Sequence, residues 1–155
     1  RHTALALARG ATVVGIDRDL QALAALPPEA QAIQADLEHG PWSAVLSPAR
    51  PFDAIVVANY LHLPRLDLLP ACLAPGGLLV YETFAVGNER YGRPSNPDFL
   101  LRAGELADWA TRHGLCVLGY EHGFLPRGQG AIVQRIAAVR PPVDLERFAA
   151  AFAGG

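Results

Sequence analysis

Several polar residues in this 155-residue chain stand where their chemistry could be used. Asp17 closes the apolar run "ATVVGID". An acid at the carboxyl end of a buried strand can accept hydrogen bonds from ribose hydroxyls, about 20 residues after a glycine-rich phosphate loop begins. It can equally be a solvated strand end or a helix N-cap. Asp36 closes "AQAIQAD". A carboxylate there can hold the exocyclic amine of an adenine with Leu37 against the ring, or it can make a turn. Asn59, Tyr60 and His62 follow "FDAIVVA", polar groups just past a strand tip and so placed to meet a ligand. A surface or capping role is the alternative for His62. Glu82 and Thr83 end "LLVYET", and a carboxylate in so apolar a run needs a partner or a cleft. Arg90, Tyr91 and Arg93 could clamp an anionic substrate, or be solvated loop residues.

Such residues need elements to hold them. "RHTALALAR" is rich in helix formers, with Gly10 as its stop. "ATVVGID" reads as a buried strand, and "RDLQALAAL" as a helix ended by Pro27 and Pro28. "AQAIQAD" is a weaker strand, and "GPWSAVLS" a short helix or turn. "FDAIVVANYL" is the clearest buried parallel strand, and "LDLLPACLA" reads as a short helix with Pro70 in its first turn or kinking it. "GGLLVYETFA" is a further buried strand, opened by the Gly76-Gly77 turn. "GELADWATRHG" is an amphipathic helix with Leu106, Trp109 and Ala110 on one face. "LCVLGYEHGFL" and "GAIVQRIAAVR" are strands, and "DLERFAAAF" a terminal helix capped by Asp144.

Strands alternating with helices predict an α/β fold, a mostly parallel sheet covered on both faces. The link from Pro126 to Gly130 is too short for a parallel crossover, so the last two strands should form an antiparallel hairpin. The stretch "AVGNERYGRPSNPDFLLR", Ala85 to Arg102, is long for a compact domain. It follows a strand's carboxyl end, the place for a lid or binding loop.

Composition narrows the classes. The chain is 51% hydrophobic and 18% charged, which is globular rather than disordered. Its formal net charge of -2 gives no overall pull toward nucleic acid. No apolar run approaches the roughly 18 residues of a membrane span. Cys72 and Cys116 lie far apart and read as buried free thiols of a reducing cytosol. The five His are scattered, so no metal site is expected.

Taken together, "VVGIDRDLQAL", "QADLE", "FDAIVVANYLH" and "LAPGGLLVYETF" resemble class I S-adenosylmethionine-dependent methyltransferases, over nearly the whole chain. The L-x-P-G-G-x-L-V pattern before a strand is the most telling piece, since nicotinamide-binding Rossmann domains do not usually carry it. The chain looks most similar to the tellurite-resistance-type branch of small bacterial methyltransferases, and the likeness extends into "YETF" and "GRPSNPDFLLRAGEL".

The resemblance implies a Rossmann-like methyltransferase sheet, S-adenosylmethionine as cofactor, and in-line methyl transfer to a small-molecule acceptor. Carried over, the ribose-binding acid is Asp17, with Arg18 beside the adenine. The adenine-amine acid is Asp36, with Leu37 as its hydrophobic neighbour. Ala58 and Asn59 lie near the methionine part, and Tyr60 and His62 face the substrate. Glu82 and Tyr91 are further substrate-side candidates. Glu82, His62 and Tyr60 are all candidates for a general base, with no choice among them.

The family's first strand and G-x-G loop have no counterpart in the sequence as written. "RHTALALA" resembles the helix that follows that loop, and the chain contains no Met. The expectation is one methyltransferase domain with roughly 30 to 50 further residues ahead of Arg1. They would supply a central strand, without which the chain should fold poorly and bind cofactor weakly. Two rival readings stand: a nicotinamide-dependent oxidoreductase, which Asp17 would serve equally well, and a non-catalytic methyltransferase-like binding module. Action on nucleic acid is disfavoured by the acidic balance and by "NYLH" where amino-methylating DNA enzymes carry N/D-P-P-Y/F. A cytoplasmic location is expected, with no membrane partner.

Overall fold

The computed structural model describes residues 2–42, 45–126, 128–146 and 148. The chain divides into two compact units, Arg1–Ser47 and Pro48–Gly155.

The first unit runs α1 (His2–Leu7), β1 (Val14–Asp17), α2 (Leu20–Ala24) and β2 (Gln31–Gln34). Gly10 ends the first helical stretch at φ 79°, donating its N–H to the Leu7 carbonyl, as a left-handed stop should. Asp19 caps α2, its side chain accepting the Gln21 N–H. β1 and β2 pair in parallel, Val14 against Gln31 through Asp17 against Gln34. Neither is buried along its length: β1 is half-buried with Asp17 exposed, and in β2 only Ile33 is half-buried. This corrects the buried-strand expectation for "ATVVGID". In its two-stranded sheet β1 has β2 as its one partner, and α2, which lies against both strands, has Leu23 as its one buried residue.

The second unit runs β3 (Phe52–Ala58), α3 (Leu63–Leu66), β4 (Leu73–Phe84), α4 (Glu105–Arg112), β5 (Cys116–Leu125) and β6 (Ala131–Val139), with short 3-10 turns at Pro70–Cys72, Asn88–Arg90 and Pro97–Phe99. The sheet order is β3-β4-β6-β5. β3 and β4 are parallel. β6 is antiparallel to both β4 and β5, so β3, β4 and β5 run one way and β6 alone runs back. The expected hairpin is therefore present, with its second strand inserted inside the sheet.

Alternation along β4 buries Leu79, Tyr81 and Thr83 and leaves Val80 exposed. On the buried side, α4 packs Leu106, Trp109 and Ala110 against the hairpin strands. Gln134 of β6, fully buried, accepts the Leu106 N–H at 3.1 Å and donates to the Arg102 carbonyl at 2.6 Å. It supplies in trans the cap that Gly104, at the helix start, cannot.

Two further expectations need correction. β3 is parallel but not buried: Ala54, Val56 and Ala58 are exposed, Val56 at 50%. It is an edge strand of its sheet, and the face shared by Val56 and Val80 is uncovered. The helix expected over "LDLLPACLA" is absent. α3 starts earlier, with a proline in its first turn. Pro70, lacking an N–H, opens a 3-10 turn instead, and Leu73 is already paired with Phe52.

The Pro75-Gly76-Gly77 segment lies within β4, as a bulge between the Phe52–Leu73 and Ala54–Leu78 pairs. A Cβ on Gly77 would sit 2.8 Å from the Ala74 carbonyl oxygen and 3.1 Å from that of Phe52. Arg140 clasps the bulge: Gly76 N–H donates to its carbonyl, its own N–H donates to the Gly77 carbonyl, and its guanidinium donates to the Leu73 carbonyl. Ser43 and Ala44 of the expected turn "GPWSAVLS" lie outside the described residues, as does most of the expected terminal helix. At its start Asp144 accepts the Glu146 N–H at 3.1 Å, as a cap would.

Candidate functional site

In the first unit, Asp17 and Asp36 follow the carboxyl ends of two adjacent parallel strands. Asp17 is the last residue of β1, paired with Gln34, and Asp36 lies two residues beyond that pair. Asp17 is exposed. One of its carboxylate oxygens accepts the Asp19 N–H at 2.9 Å. The cap of α2 is Asp19, not Asp17. Arg18 lies 3.8 Å from Glu38, a loose surface pair worth little.

Asp36 is engaged in its own turn. Its Oδ1 accepts the N–H groups of Glu38 and His39, and its Oδ2 lies 3.0 Å from His39 Nδ1. The His39 contact first, then the Glu38 N–H, holds its carboxyl below the usual range. Leu37 beside it is half-buried, and its carbonyl accepts the Trp42 indole N–H at 2.6 Å. The turn role foreseen as the alternative for Asp36 is thus real, and it fixes where the carboxylate stands.

In the second unit, Ala58, Asn59 and Glu82 meet at the carboxyl ends of β3 and β4. Ala58 pairs with Glu82, and the Asn59 N–H donates to the Glu82 carbonyl at 2.9 Å. Asn59 has φ 55°, the one non-glycine residue with positive φ among those described. Asn tolerates this conformation better than most residues, and strained strand ends of this kind occur at functional sites.

The segment after Asn59 is pinned from below. The hydroxyl of Tyr81 donates to the Tyr60 carbonyl at 2.7 Å. Burial, then the neighbouring Tyr60, pushes the Tyr81 hydroxyl well above its ordinary pKa, so it remains a donor. His62 occupies the N-cap position of α3 without a side-chain cap bond and is half-buried.

Glu82 has the partner its setting demanded. Arg135 of β6 donates from Nε to Glu82 at 2.5 Å and from Nη1 to Glu121 of β5 at 3.0 Å. The three form a cross-strand row, Glu82–Arg135–Glu121. Sequence reasoning missed Arg135. The signal was available: a lone arginine in the middle of the apolar run "AIVQRIAAV" also needs a partner.

The long connection is not a free lid. The Ala85–Leu101 bridge closes it, with both residues fully buried. Inside it Asn88, at 2% exposure, accepts the Ile132 N–H and donates to the Pro94 carbonyl. Tyr91 is held against Phe124 of β5, ring centroids 5.1 Å apart, with Arg90 over the Tyr91 ring. Arg93 is exposed.

Cys72 is buried and Cys116 is not fully so; both are free. Burial pushes the Cys72 thiol up. Among the described residues no three His, Cys, Asp or Glu side chains gather as a metal site. No helix among them is long and apolar enough to cross a membrane.

No family model matches the chain, and no curated protein matches it. Solved structures do. The N1-methyltransferase of Burkholderia thailandensis that was crystallised with 1,6-didemethyltoxoflavin and S-adenosylhomocysteine is 17% identical, with a TM-score of 0.62 over 93% of this chain and 67% of its own. A putative S-adenosylmethionine-dependent methyltransferase from Listeria monocytogenes is 12% identical, with a TM-score of 0.64 over 90% of this chain and 85% of its own. The [4+2]-cyclase SpnF is 17% identical, with a TM-score of 0.58 over 91% of this chain and 70% of its own. Likeness at this level speaks for architecture, and the cyclase shows that one architecture hosts different reactions. The chain has the Rossmann-like α/β fold of these S-adenosylmethionine-dependent methyltransferases.

Proposed function

We propose that this chain is an S-adenosylmethionine-dependent methyltransferase that methylates a small molecule. The observation that carries the reading is the pair Asp17 and Asp36 just past the carboxyl ends of adjacent parallel strands, where open α/β sheets bind nucleotides. In this reading Asp17 accepts hydrogen bonds from the ribose hydroxyls, with Arg18 beside the adenine. Asp36 takes the adenine amine, with Leu37 against the ring. Ala58 and Asn59 serve the methionine portion, and Tyr60, His62, Glu82 and Tyr91 the acceptor. Support comes from similar folds, one of them bound to S-adenosylhomocysteine and a small-molecule substrate.

The cofactor supplies an activated sulfonium methyl group. The chain's own task is alignment of an acceptor, which can provide most of the catalysis. Tyr81 contributes by fixing the backbone at Tyr60. Glu82 is the weakest of the base candidates, since Arg135, which also pairs with Glu121, already engages it.

The reading includes a single domain of the tellurite-resistance type, acting in the cytoplasm, with a strand and glycine-rich loop ahead of Arg1. Support for such a strand is the edge position of the largely apolar β3, whose open backbone edge it would pair.

Calorimetric titration of S-adenosylhomocysteine into the full-length protein tests the proposal, with Asp17→Ala and the 155-residue chain alongside. Micromolar binding that weakens about tenfold or more in the variant, some 1.4 kcal/mol, and is lost in the shorter chain is the expected result. A well-folded full-length protein that ignores the ligand would sink the enzyme reading in favour of a binding module.

A further inference from the structure

Asn88, Tyr91, Phe124 and Gly130 form an assembly that the cofactor reading does not use. Phe124 is 50% exposed, yet it is held in place. Its ring rests against the backbone of Gly130, where a Cβ would fall 2.5 Å from Phe124 Cε2 and 3.5 Å from Tyr91 Cδ1. Tyr91 meets the same ring at 5.1 Å and a 43° tilt. The loop that carries Tyr91 is pinned by the buried Asn88, whose Oδ1 accepts the Ile132 N–H and whose Nδ2 donates to the Pro94 carbonyl.

The Arg90 Cζ lies 5.9 Å from the Tyr91 ring centroid. Its Nε donates to the Gly87 carbonyl, which fixes the side chain and leaves the Nη groups outside that bond. Glu89, the nearest acid in sequence, accepts the Gly87 N–H.

Position adds to chemistry. Phe124 pairs with Ile132, next to the Val133 that pairs with Phe84 at the end of β4. The rings therefore stand at the carboxyl edge of the parallel strands, the edge that also carries Asn59 and Glu82. Ligands of open α/β sheets bind at this edge. A fixed aromatic ring half in water offers a stacking face, and an adjacent guanidinium favours a ligand bearing negative charge.

We infer that Phe124 and Tyr91, with Arg90 beside them, form a platform for a planar aromatic anion, and that the methyl acceptor belongs to this class. The platform stands on the geometry alone; its role in holding the acceptor rests on the methyltransferase reading. Phe124 acts as a specificity-determining residue, and Gly130 and Asn88 as positioning residues.

The test uses naphthalene-2-carboxylate, its saturated analogue decahydronaphthalene-2-carboxylate, and the neutral naphthalene-2-methanol. Each is titrated into the full-length protein and followed by ring-proton NMR shifts, with S-adenosylhomocysteine affinity measured in parallel. The aromatic anion should bind at least about tenfold more tightly than either control and shift the Phe124 and Tyr91 ring signals. Phe124→Leu, which keeps an apolar side chain without a π face, should lose that preference while melting temperature and S-adenosylhomocysteine affinity stay unchanged. Equal binding of the saturated analogue, or shifts elsewhere than at these rings, would overturn the platform. If naphthalene-2-carboxylate fails while S-adenosylhomocysteine binds, the inference falls and the methyltransferase reading survives. If the aromatic anion binds and S-adenosylhomocysteine does not, the platform stands and its acceptor role falls.

Discussion

At the scale of single residues, buried polar groups show what the fold must satisfy. Tyr81 is 1% exposed, and its hydroxyl has the Tyr60 carbonyl as acceptor. Tyr81→Phe removes that bond while keeping the ring. It should cost about 1 kcal/mol in urea unfolding and speed amide exchange over residues 60–62. If exchange there is unchanged, Tyr81 does not pin the segment. Glu82 was recognisable in the sequence as a carboxylate that needed company. Its partner Arg135 lies 53 positions away, and only the pairing of β4 with β6 brings them into one row. The turn at Asp36 could be read from an acid followed by polar residues, yet its His39 contact depends on side-chain geometry that spacing does not specify.

At the scale of elements, local chemistry and the buried face of α4 were legible, and the exposure of β1 and β3 was not. Gly10, Asp19 and the short link after Leu125 act locally, so the helix stop, the α2 start and the hairpin could be foreseen, although the cap of α2 fell on Asp19. "FDAIVVA" reads as buried because it is apolar throughout after Asp53. Burial depends on what covers a strand, and the exposed Val56 shows a face left uncovered. The Gly76-Gly77 pair read as a turn before a strand, whereas it forms a bulge inside β4 that requires carbonyl oxygens from two strands at close range. Gly77→Ala tests this. With the new Cβ against fixed backbone atoms, it should destabilise by about 1–3 kcal/mol, seen as a lower urea midpoint with unchanged slope. A neutral outcome would mean that the bulge relaxes freely. The loop from Ala85 to Arg102 was marked by its Gly, Pro and Asn content. That it is tied down follows from Asn88, one residue whose buried role nothing in the local sequence announces.

At the scale of the whole molecule, the two units differ in how their strands are supported. β4 and β6 each have two sheet neighbours, whereas β1, β2, β3 and β5 each have one. Local opening costs least where buried contacts are few. Amides of β4 and β6 should therefore exchange most slowly, and those of β1 and β2 at least about tenfold faster. Uniform protection across the strands would show that the units open together. The placement of β6 also bears on how the chain is made. It is the last strand of the sheet to leave the ribosome, yet it sits between two earlier ones. Until Ala131–Val139 emerges, β4 and β5 have no strand to join them, and Leu79 and Tyr81 wait without the Ala138 and Ile136 they pair with. A nascent chain stalled before Ala131 would present β4 as an open apolar edge, the surface that chaperones and proteases recognise. Completion of this sheet thus reports that synthesis has passed its final strand.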